Sequence, residues 1–261
     1  MFVTEELIRR IERSEAERVR VSAETFGGSV LPIGGGVAAN CGEGNVMTQA
    51  IGVASGVDLA ETDFDLIISH YRNCARFEFK LSVLSPMSLR EWVVRRAIGI
   101  PEFETILVQA LSDYDAAPPQ IDIRRVPDID ADAYGQRSAQ RFYQSEPPPG
   151  LAGVVSAMTR AEGTNAFEVF LEGVPVASCS VGLANGIAWL GGGAVDPPYR
   201  GRGLHKAMQA YRMMLAKEMG CELICQGALP GSVSHVNAQK NGFAVAFTRP
   251  TFWVEPEECR D

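Results

Sequence analysis

The sequence predicts an α/β (α+β) fold in which helices flank a mixed, mostly antiparallel, twisted sheet. Residues 165–195 contain three β-rich runs joined by the turns Glu172-Gly173 and Asn185-Gly186, as in an antiparallel meander. A glycine turn and an amphipathic run follow over residues 196–219, which places a helix directly after the third strand. With 261 residues and 46% hydrophobic content, the chain is long enough for two modest cores.

The first half of the chain is expected to alternate helices and strands. Thr4 to Ala23 places apolar residues at helical spacing, which predicts an amphipathic helix. Later helices are expected to begin with the capping residues Asp63 and Ser88. The glycines of residues 27–56 are interpreted as ordinary turns, because no Gly-Lys-Ser/Thr phosphate loop occurs. The predicted strands are 29–33, 36–39, 50–54, 77–84 and 103–111, and the predicted helices after the first are 63–71 and 88–97.

A proline-containing break, Ala116-Ala117-Pro118-Pro119, predicts the boundary between two domains, residues 1–117 and 118–261. The second half begins with a strand, a helix, an exposed elbow at Glu146–Gly150 and a short helix, and it continues into the meander. After the meander come a helix from Gly203, a strand, a short helix and a last strand. The remaining predicted strands are 121–126, 165–171, 174–183, 187–195, 222–228 and 244–254, and the remaining helices are 130–144, 151–159 and 234–240.

Composition excludes several classes of function. The formal net charge of −8 argues against general nucleic-acid binding and against attraction to an anionic membrane. No uninterrupted apolar run approaches the roughly 20 residues that span a bilayer. Six cysteines without paired metal spacing predict reduced thiols, no metal and a cytoplasmic location. The expected assembly is a monomer or homodimer.

The most informative stretch is Ala194 to Met219. Asp196-Pro197-Pro198 ends the preceding strand, because proline lacks a ladder donor. Gly201 and Gly203 can then present bare backbone N–H groups at the start of a helix, an arrangement that binds anions. The helix that follows has an apolar stripe expected to face inward. Four of its polar residues are expected to face outward: Lys206, Gln209, Arg212 and Lys217.

The turn reads Arg200-Gly201-Arg202-Gly203-Leu204-His205 and resembles the Arg/Gln-x-x-Gly-x-Gly/Ala turn of the GCN5-related N-acetyltransferase (GNAT) family. Ala194 to Tyr199 resembles the Val-x-Pro-x-Tyr segment before that turn, and Ser234 to Phe243 resembles the closing helix that ends in Lys-x-Gly-Phe. The resemblance covers about residues 121 to 254. It departs from the family at His205, where members have a small residue. The N-terminal half looks like a degenerate copy of the same architecture, as in tandem members.

This resemblance implies a GNAT fold and an N-acetyltransferase that uses acetyl-CoA as co-substrate, without a metal. The acetyl group would pass to a primary amine of a small molecule or peptide by direct attack. Backbone N–H groups of the turn would bind the pyrophosphate, with Arg200 and Arg202 adding charge. In the family the strand before the turn pairs with the pantetheine arm, so Val195 N–H would polarise the thioester. The resulting coenzyme-site prediction is Ala194, Val195, Arg200, Gly201, Arg202, Gly203, Leu204, His205 and Asn237.

The catalytic groups depart from the family pattern. Many members protonate the departing CoA thiolate with a tyrosine of the closing helix, but the matching position here is Ala238. The nearest polar substitutes in sequence are Ser234, Asn237 and Tyr199, with water as an alternative acid. The predicted catalytic set is Val195, Asn237 and Ser234. Glu168 and Glu222 are candidate bases, although a carboxylate on a strand is more often on a solvated face.

Two further alternatives are open from the sequence. The run Gly191-Gly192-Gly193 predicts either room for an acceptor or a β-bulge. The rival function is an acyl-CoA-binding regulatory module with little or no turnover, which Ala238 and His205 together would permit. If the protein is an enzyme, His205 either contributes only its backbone N–H, with its ring uninvolved, or contacts a coenzyme phosphate through its ring N–H.

Overall fold

The computed structural model describes residues 3–112, 114–115, 117–143 and 146–256. The chain divides into two compact units, each built from segments that are distant in sequence. The first contains the described residues up to Leu107, Gly227–His235 and those from Val245 on, and the second contains Val108–Gln226 and Val236–Ala244. These units differ in extent from the predicted domains, whose boundary at residues 117 and 118 stays a prediction.

The first unit builds its sheet from the first half of the chain and the last strand. The strand order is β1-β2-β3-β4-β11-β5. The β3/β4 pair is parallel, while the β1/β2, β2/β3 and β4/β11 pairs are antiparallel. Its elements are α1 (Glu5–Phe26), β1 (Ser29–Ile33), β2 (Gly36–Asn40), β3 (Gln49–Ile51), α2 (Glu61–Tyr71), β4 (Phe77–Lys80), α3 (Met87–Arg96), β5 (Ala97–Ala110) and β11 (Ala244–Val254).

The prediction that Asp63 and Ser88 are helix N-caps in this unit is wrong. Helix α2 begins after Ala60, and Asp63 lies at the third helical position, where its carboxylate accepts a hydrogen bond from the Ala60 N–H at 2.8 Å. Helix α3 begins after Pro86, whose backbone is extended, so Ser88 lies inside the first turn. Helix α2 thus starts two residues before Asp63, and helix α3 starts one residue before Ser88.

The core of the first unit combines aromatic packing with buried ion pairs. Tyr71 stacks on Phe77 with ring centroids 3.8 Å apart. On β11, the Arg249 side chain is fully buried and its guanidinium forms ion pairs at 2.7 Å with both Glu15 and Glu104. Because these charges are removed from water, loss of one partner would leave the others uncompensated. The ion pairs therefore fix the last strand within this unit.

The second unit confirms the predicted antiparallel meander. Its strand order is β10-β9-β8-β7-β6, with every pair antiparallel except β9/β10. The predicted end of the second-half helix at Gln144, like Ala116 of the predicted break, lies outside the described residues. The elements are β6 (Asp122–Arg125), α4 (Ala131–Tyr143), α5 (Leu151–Arg160), β7 (Thr164–Leu171), β8 (Val174–Ala184), β9 (Ile187–Val195), α6 (Leu204–Glu218), β10 (Leu223–Ala228) and α7 (Val233–Lys240).

Two of the four α6 residues predicted to face outward are buried instead. Lys206 and Lys217 are exposed as expected, but Gln209 and Arg212 are 1% and 2% exposed. Each buried polar group has found partners inside the unit, as burial requires. The helix therefore buries a wider stripe than its apolar residues alone indicate.

Three findings concern the cysteines, possible metal ligands and long helices of the part of the chain that the structure describes. Its five cysteines are free thiols, and Cys259 lies outside the described residues. Among the described residues there is no group of three or more His, Cys, Asp or Glu side chains able to hold a metal. No helix in the described ranges is long and apolar enough to cross a membrane.

Candidate active site

The site is built around an open edge of β9. This strand pairs with β8 from Ile187 to Val195, whereas its pairing with β10 covers only Ile187 to Trp189. The neighbouring strands on its two sides therefore end at different points. Beyond Trp189, the side of β9 opposite to β8 has no β10 partner within the described residues, which leaves backbone groups for an extended ligand.

Hydrogen-bond alternation shows which residue serves this edge. Asp196 N–H donates to Val176 O at 2.9 Å, and the pairs alternate along an antiparallel ladder. The Val195–Ala177 pair is consequently of the kind that exchanges no hydrogen bonds, so Val195 N–H and C=O point away from β8. In agreement, Val195 O accepts a hydrogen bond from Arg200 Nε at 3.0 Å. The backbone of Ala194 points toward β8 instead.

The three consecutive glycines form a β-bulge, one of the two alternatives that the sequence allowed. Ser178 pairs with Ala194 and Ser180 with Gly191, so two residues of β9 lie opposite one residue of β8. Gly192, the first of those two, has a φ of 56° and is exposed. A positive φ of this kind favours glycine. The bulge interrupts β9 just beyond the point at which β10 leaves it.

The glycine turn lies between β9 and α6, as predicted. Gly201 and Gly203 have φ values of 75° and 77°, and Gly203 is the N-cap of α6. A Cβ at either position would meet no atom within 4 Å, so the backbone conformation rather than crowding requires glycine. Both glycines are exposed, and the unpaired N–H groups of the first helical turn follow them. The turn can therefore receive an anion.

The arginines of the turn have internal partners. Arg200 donates to Val195 O, as described above, and the Arg202 guanidinium lies over the Tyr199 ring at 5.4 Å from the centroid. Both residues are exposed. Their charges flank the same turn, which raises the local positive potential.

His205 fills space that a glycine leaves. Its Nε2 lies 3.5 Å from the point that a Cβ on Gly193 would occupy, and the ring is half-buried. Burial lowers the pKa of His205, and the nearby positive charge of Arg212 lowers it further. We therefore expect a neutral imidazole at pH 7. His205 on α6 is larger than the small residue of the family pattern, and its ring lies beside Gly193 on β9, which has no side chain.

The candidate acid positions lie on α7. Ala238 is fully buried, while Ser234 and Asn237 are half-buried on the same helix. An alanine methyl group carries no proton, so the acid of the family pattern is missing at this position. The roles of Ser234 and Asn237 stay predictions.

Glu168 is not a candidate base in the structure. Its carboxylate forms ion pairs with Arg137 at 2.7 Å and with Arg141 at 2.8 Å. Burial opposes its ionised form, but the hydrogen bonds from both arginines prevail and lower its pKa. Arg141 also pairs with Asp196 at 3.1 Å, which ties α4 to the end of β9. The four-residue spacing of the two arginines on α4 was a sequence signal for this shared partner.

The other carboxylate and a buried amide chain complete the surroundings. Glu222, the second candidate base, is exposed, and its backbone N–H donates to Gly186 O. Gln209 Nε2 donates to Gln226 Oε1 at 3.2 Å, and Asn241 Nδ2 donates to Gln209 Oε1. This amide chain was not predicted from the sequence, because helical periodicity assigned Gln209 to the solvent face.

Comparison with solved structures identifies the architecture. A GCN5-related N-acetyltransferase from Kribbella flavida matches with a TM-score of 0.65 and 15% identity, covering 96% of each chain. The chain has the GNAT fold. A GCN5-related N-acetyltransferase from Sphaerobacter thermophilus also matches, with a TM-score of 0.54 and 16% identity over 77% of this chain and 68% of that one.

The GNAT comparison includes a protein with two such domains. A tandem GNAT protein from the clavulanic acid biosynthesis pathway matches with a TM-score of 0.52 and 14% identity, covering 76% of this chain and 69% of that one. No family model and no curated protein matches the sequence. The GNAT fold of this chain is thus recognised through its structure.

Proposed function

We propose that this protein is an acetyl-CoA-dependent N-acetyltransferase that transfers an acetyl group to a primary amine of a small molecule or peptide. One observation carries the proposal: an open edge of β9 leads directly into an exposed anion-binding turn. The first feature suits the amides of a pantetheine arm, and the second suits a pyrophosphate. Together they match the two chemically different parts of one coenzyme.

In this proposal the coenzyme lies along β9 with its pyrophosphate at the turn. Backbone N–H groups from Gly201 to His205 would bind the phosphate oxygens, and the α6 dipole would add to their attraction. Val195, whose backbone points away from β8, would hydrogen-bond the pantetheine arm, and the thioester would lie farther along β9. No metal takes part in the proposed reaction.

The reaction would proceed by direct attack. A neutral amine nitrogen attacks the thioester carbonyl carbon, a C–N bond forms, and the C–S bond then breaks. The electron pair of the C–S bond leaves with the CoA sulfur, which takes a proton from water, while Ser234 or Asn237 on α7 would hydrogen-bond the thiolate. With Glu168 held in ion pairs, the ammonium proton of the acceptor would leave through water.

A second candidate function follows from Ala238. A buried methyl group at the position of the expected acid favours an acyl-CoA-binding regulatory module that keeps the coenzyme site but has little turnover. This alternative uses the same open edge and turn. It differs from the first in what happens to the thioester.

Two measurements on the same preparation distinguish these functions. Calorimetry with acetyl-CoA and with CoA measures coenzyme binding, and a thiol-release assay with a panel of small amines and peptide amines measures turnover. Binding together with amine-dependent thiol release supports the enzyme. Binding without release on any acceptor supports the regulatory module, and absence of binding contradicts both.

A further inference from the structure

A buried cation lies beneath the bulge of β9. Arg212 of α6 is 2% exposed, and its Nη1 donates to Ser180 O at 3.0 Å and to Gly191 O at 3.2 Å. Its Nε donates to Met208 O, in the preceding turn of the helix, at 3.1 Å. Within the described residues, these carbonyl oxygens are its hydrogen-bond partners and no carboxylate pairs with it. A buried cation with only carbonyl partners keeps a net positive charge that no anion neutralises.

The carbonyls that Arg212 binds belong to the residues that close the bulge. Ser180 and Gly191 form the last regular pair before the two extra residues of β9. Opposite those residues, Cys179 O accepts a hydrogen bond from Tyr134 of α4 at 3.2 Å. The bulge is therefore held by buried donors from two helices, but only one of the two donors is charged.

The hydrogen bond to Gly191 O acts on the next N–H. The Gly191 carbonyl and the Gly192 N–H belong to one peptide unit, and in a trans peptide they point in opposite directions. A donor on the carbonyl polarises the unit and strengthens its N–H as a hydrogen-bond donor. Gly192 is an exposed residue, so we expect this N–H to be within reach of a ligand.

We propose that Arg212 is a positioning residue for acetyl transfer, which holds the bulge of β9 and polarises the Gly191–Gly192 peptide so that the Gly192 N–H stabilises the thioester oxygen. This inference rests on the proposed acetyltransferase function. A coenzyme arm that starts at the turn and follows the open edge passes Val195 first and meets the bulge farther along. The acetyl group, at the far end of the arm, would then lie beside Gly192.

The negative charge that develops during attack explains what such a cation would do. Nucleophilic attack places charge on the thioester oxygen, and fixed donors aimed at that oxygen lower the barrier more than they aid ground-state binding. Arg212 Nη2 and His205 Nε2 lie 3.6 Å and 3.5 Å from the point that a Cβ on Gly193 would occupy. Because the two groups are this close, the positive charge of Arg212 disfavours a protonated His205 imidazole, and His205 adds no second charge there. Arg212 is the nearby cation in this arrangement.

The test compares Arg212→Met, which removes the charge at similar length, with Arg212→Lys, which keeps it but loses the forked donor. We expect kcat to fall about 10- to 100-fold in Arg212→Met, with the acetyl-CoA KM unchanged within about threefold, and to fall less in Arg212→Lys. Nuclear magnetic resonance should also show a higher pKa for His205 in Arg212→Met. This shift reports that the charge is felt at the site.

Two control variants separate charge at the bulge from general effects. Lys217→Met removes another α6 cation that donates to backbone carbonyls, those of Ser112 and Tyr114, and should leave kcat unchanged. Tyr134→Phe removes the uncharged support of the bulge and should change kcat less than about threefold. If Tyr134→Phe lowers kcat as much as Arg212→Met, support of the fold explains the effect and the proposal is overturned.

The remaining outcomes are also decisive. Wild-type kcat in Arg212→Met, or a raised acetyl-CoA KM with unchanged kcat, overturns the role of Arg212 and leaves the proposed function intact. If Arg212→Met does not fold, Arg212→Gln, which also removes the charge, takes its place, and wild-type kcat in that variant overturns the role in the same way. Absence of turnover by the wild-type protein on every amine refutes the proposed enzyme and this inference with it.

Discussion

Replacing Gly203 by alanine tests the central assignment of the turn. Gly203 has a φ of 77° and is the N-cap of α6, next to the N–H groups proposed to bind the pyrophosphate. A Cβ there meets nothing within 4 Å, so the methyl group enters solvent and clashes with no protein atom. In the complex, that solvent would be replaced by the coenzyme.

Two effects of Gly203→Ala can be calculated separately. An alanine in the left-handed region costs about 1 kcal/mol of stability, which lowers Tm by about 2–4 °C in a protein of this size. A methyl group that displaces one charged hydrogen bond to the pyrophosphate costs about 1.5–3 kcal/mol of binding. That loss corresponds to an acetyl-CoA KM raised about 10- to 100-fold, with the acceptor KM little changed.

Gly186→Ala provides the matched control. Gly186 lies in the turn between β8 and β9, has a φ of 72°, and a Cβ there also meets nothing within 4 Å. The two variants should lose the same stability, measured by thermal unfolding, while only Gly203→Ala loses coenzyme affinity, measured by calorimetry and steady-state kinetics. Wild-type affinity in Gly203→Ala would show that the turn does not bind the coenzyme.

Four further predictions concern charged groups. Glu168→Ala should lower the free energy of unfolding by about 3 kcal/mol in urea titrations, because it leaves the buried Arg141 without one carboxylate partner. A loss below about 1 kcal/mol would contradict a stabilising role for this ion pair. Arg249→Met should destabilise the protein by a similar amount, since Glu15 and Glu104 lose their shared partner. Burial opposes ionisation of Glu104, but Lys80 and Arg249 lower its pKa to about 2. Its contribution to stability should therefore persist at neutral pH and be lost as pH falls from about 4 toward 2. Acid unfolding of the wild type compared with Glu104→Gln measures this. His205, whose pKa is lowered, should titrate below 6.5 by nuclear magnetic resonance, and coenzyme affinity should not change between pH 7 and 8.

Local sequence patterns determined most of the secondary structure. Strands β1, β9 and β11 have the predicted bounds, because each is a largely apolar run bounded by Gly-, Pro- or Asn-containing turns. The glycine turn before α6 was also predicted, since positive φ values are readily available only to glycine. These features depend on residues that are neighbours in the chain, and a local pattern is enough to indicate them.

The GNAT fold was likewise visible in the sequence as a resemblance. The order of strand, turn, helix and closing Gly-Phe segment indicated the GNAT fold, and the structural comparison shows that fold. The spacing of Gly201 and Gly203 is a backbone requirement and survives where side chains have diverged. That explains why the turn was recognised although overall identity to the compared structures is about 15%.

Only the tertiary structure decided which polar residues are buried and what they do there. Helical periodicity placed Arg212 and Gln209 outside, but their partners Gly191 O and Gln226 lie on other strands, at positions that no local pattern relates. Glu168 was similarly a candidate base until Arg137 and Arg141 were found beside it. Burial and ion pairing arise from contacts between distant segments, whereas turns and amphipathic periods arise from neighbours. The sequence alone therefore determined where the glycine turn before α6 would form, and the fold decided which charges surround the bulge of β9.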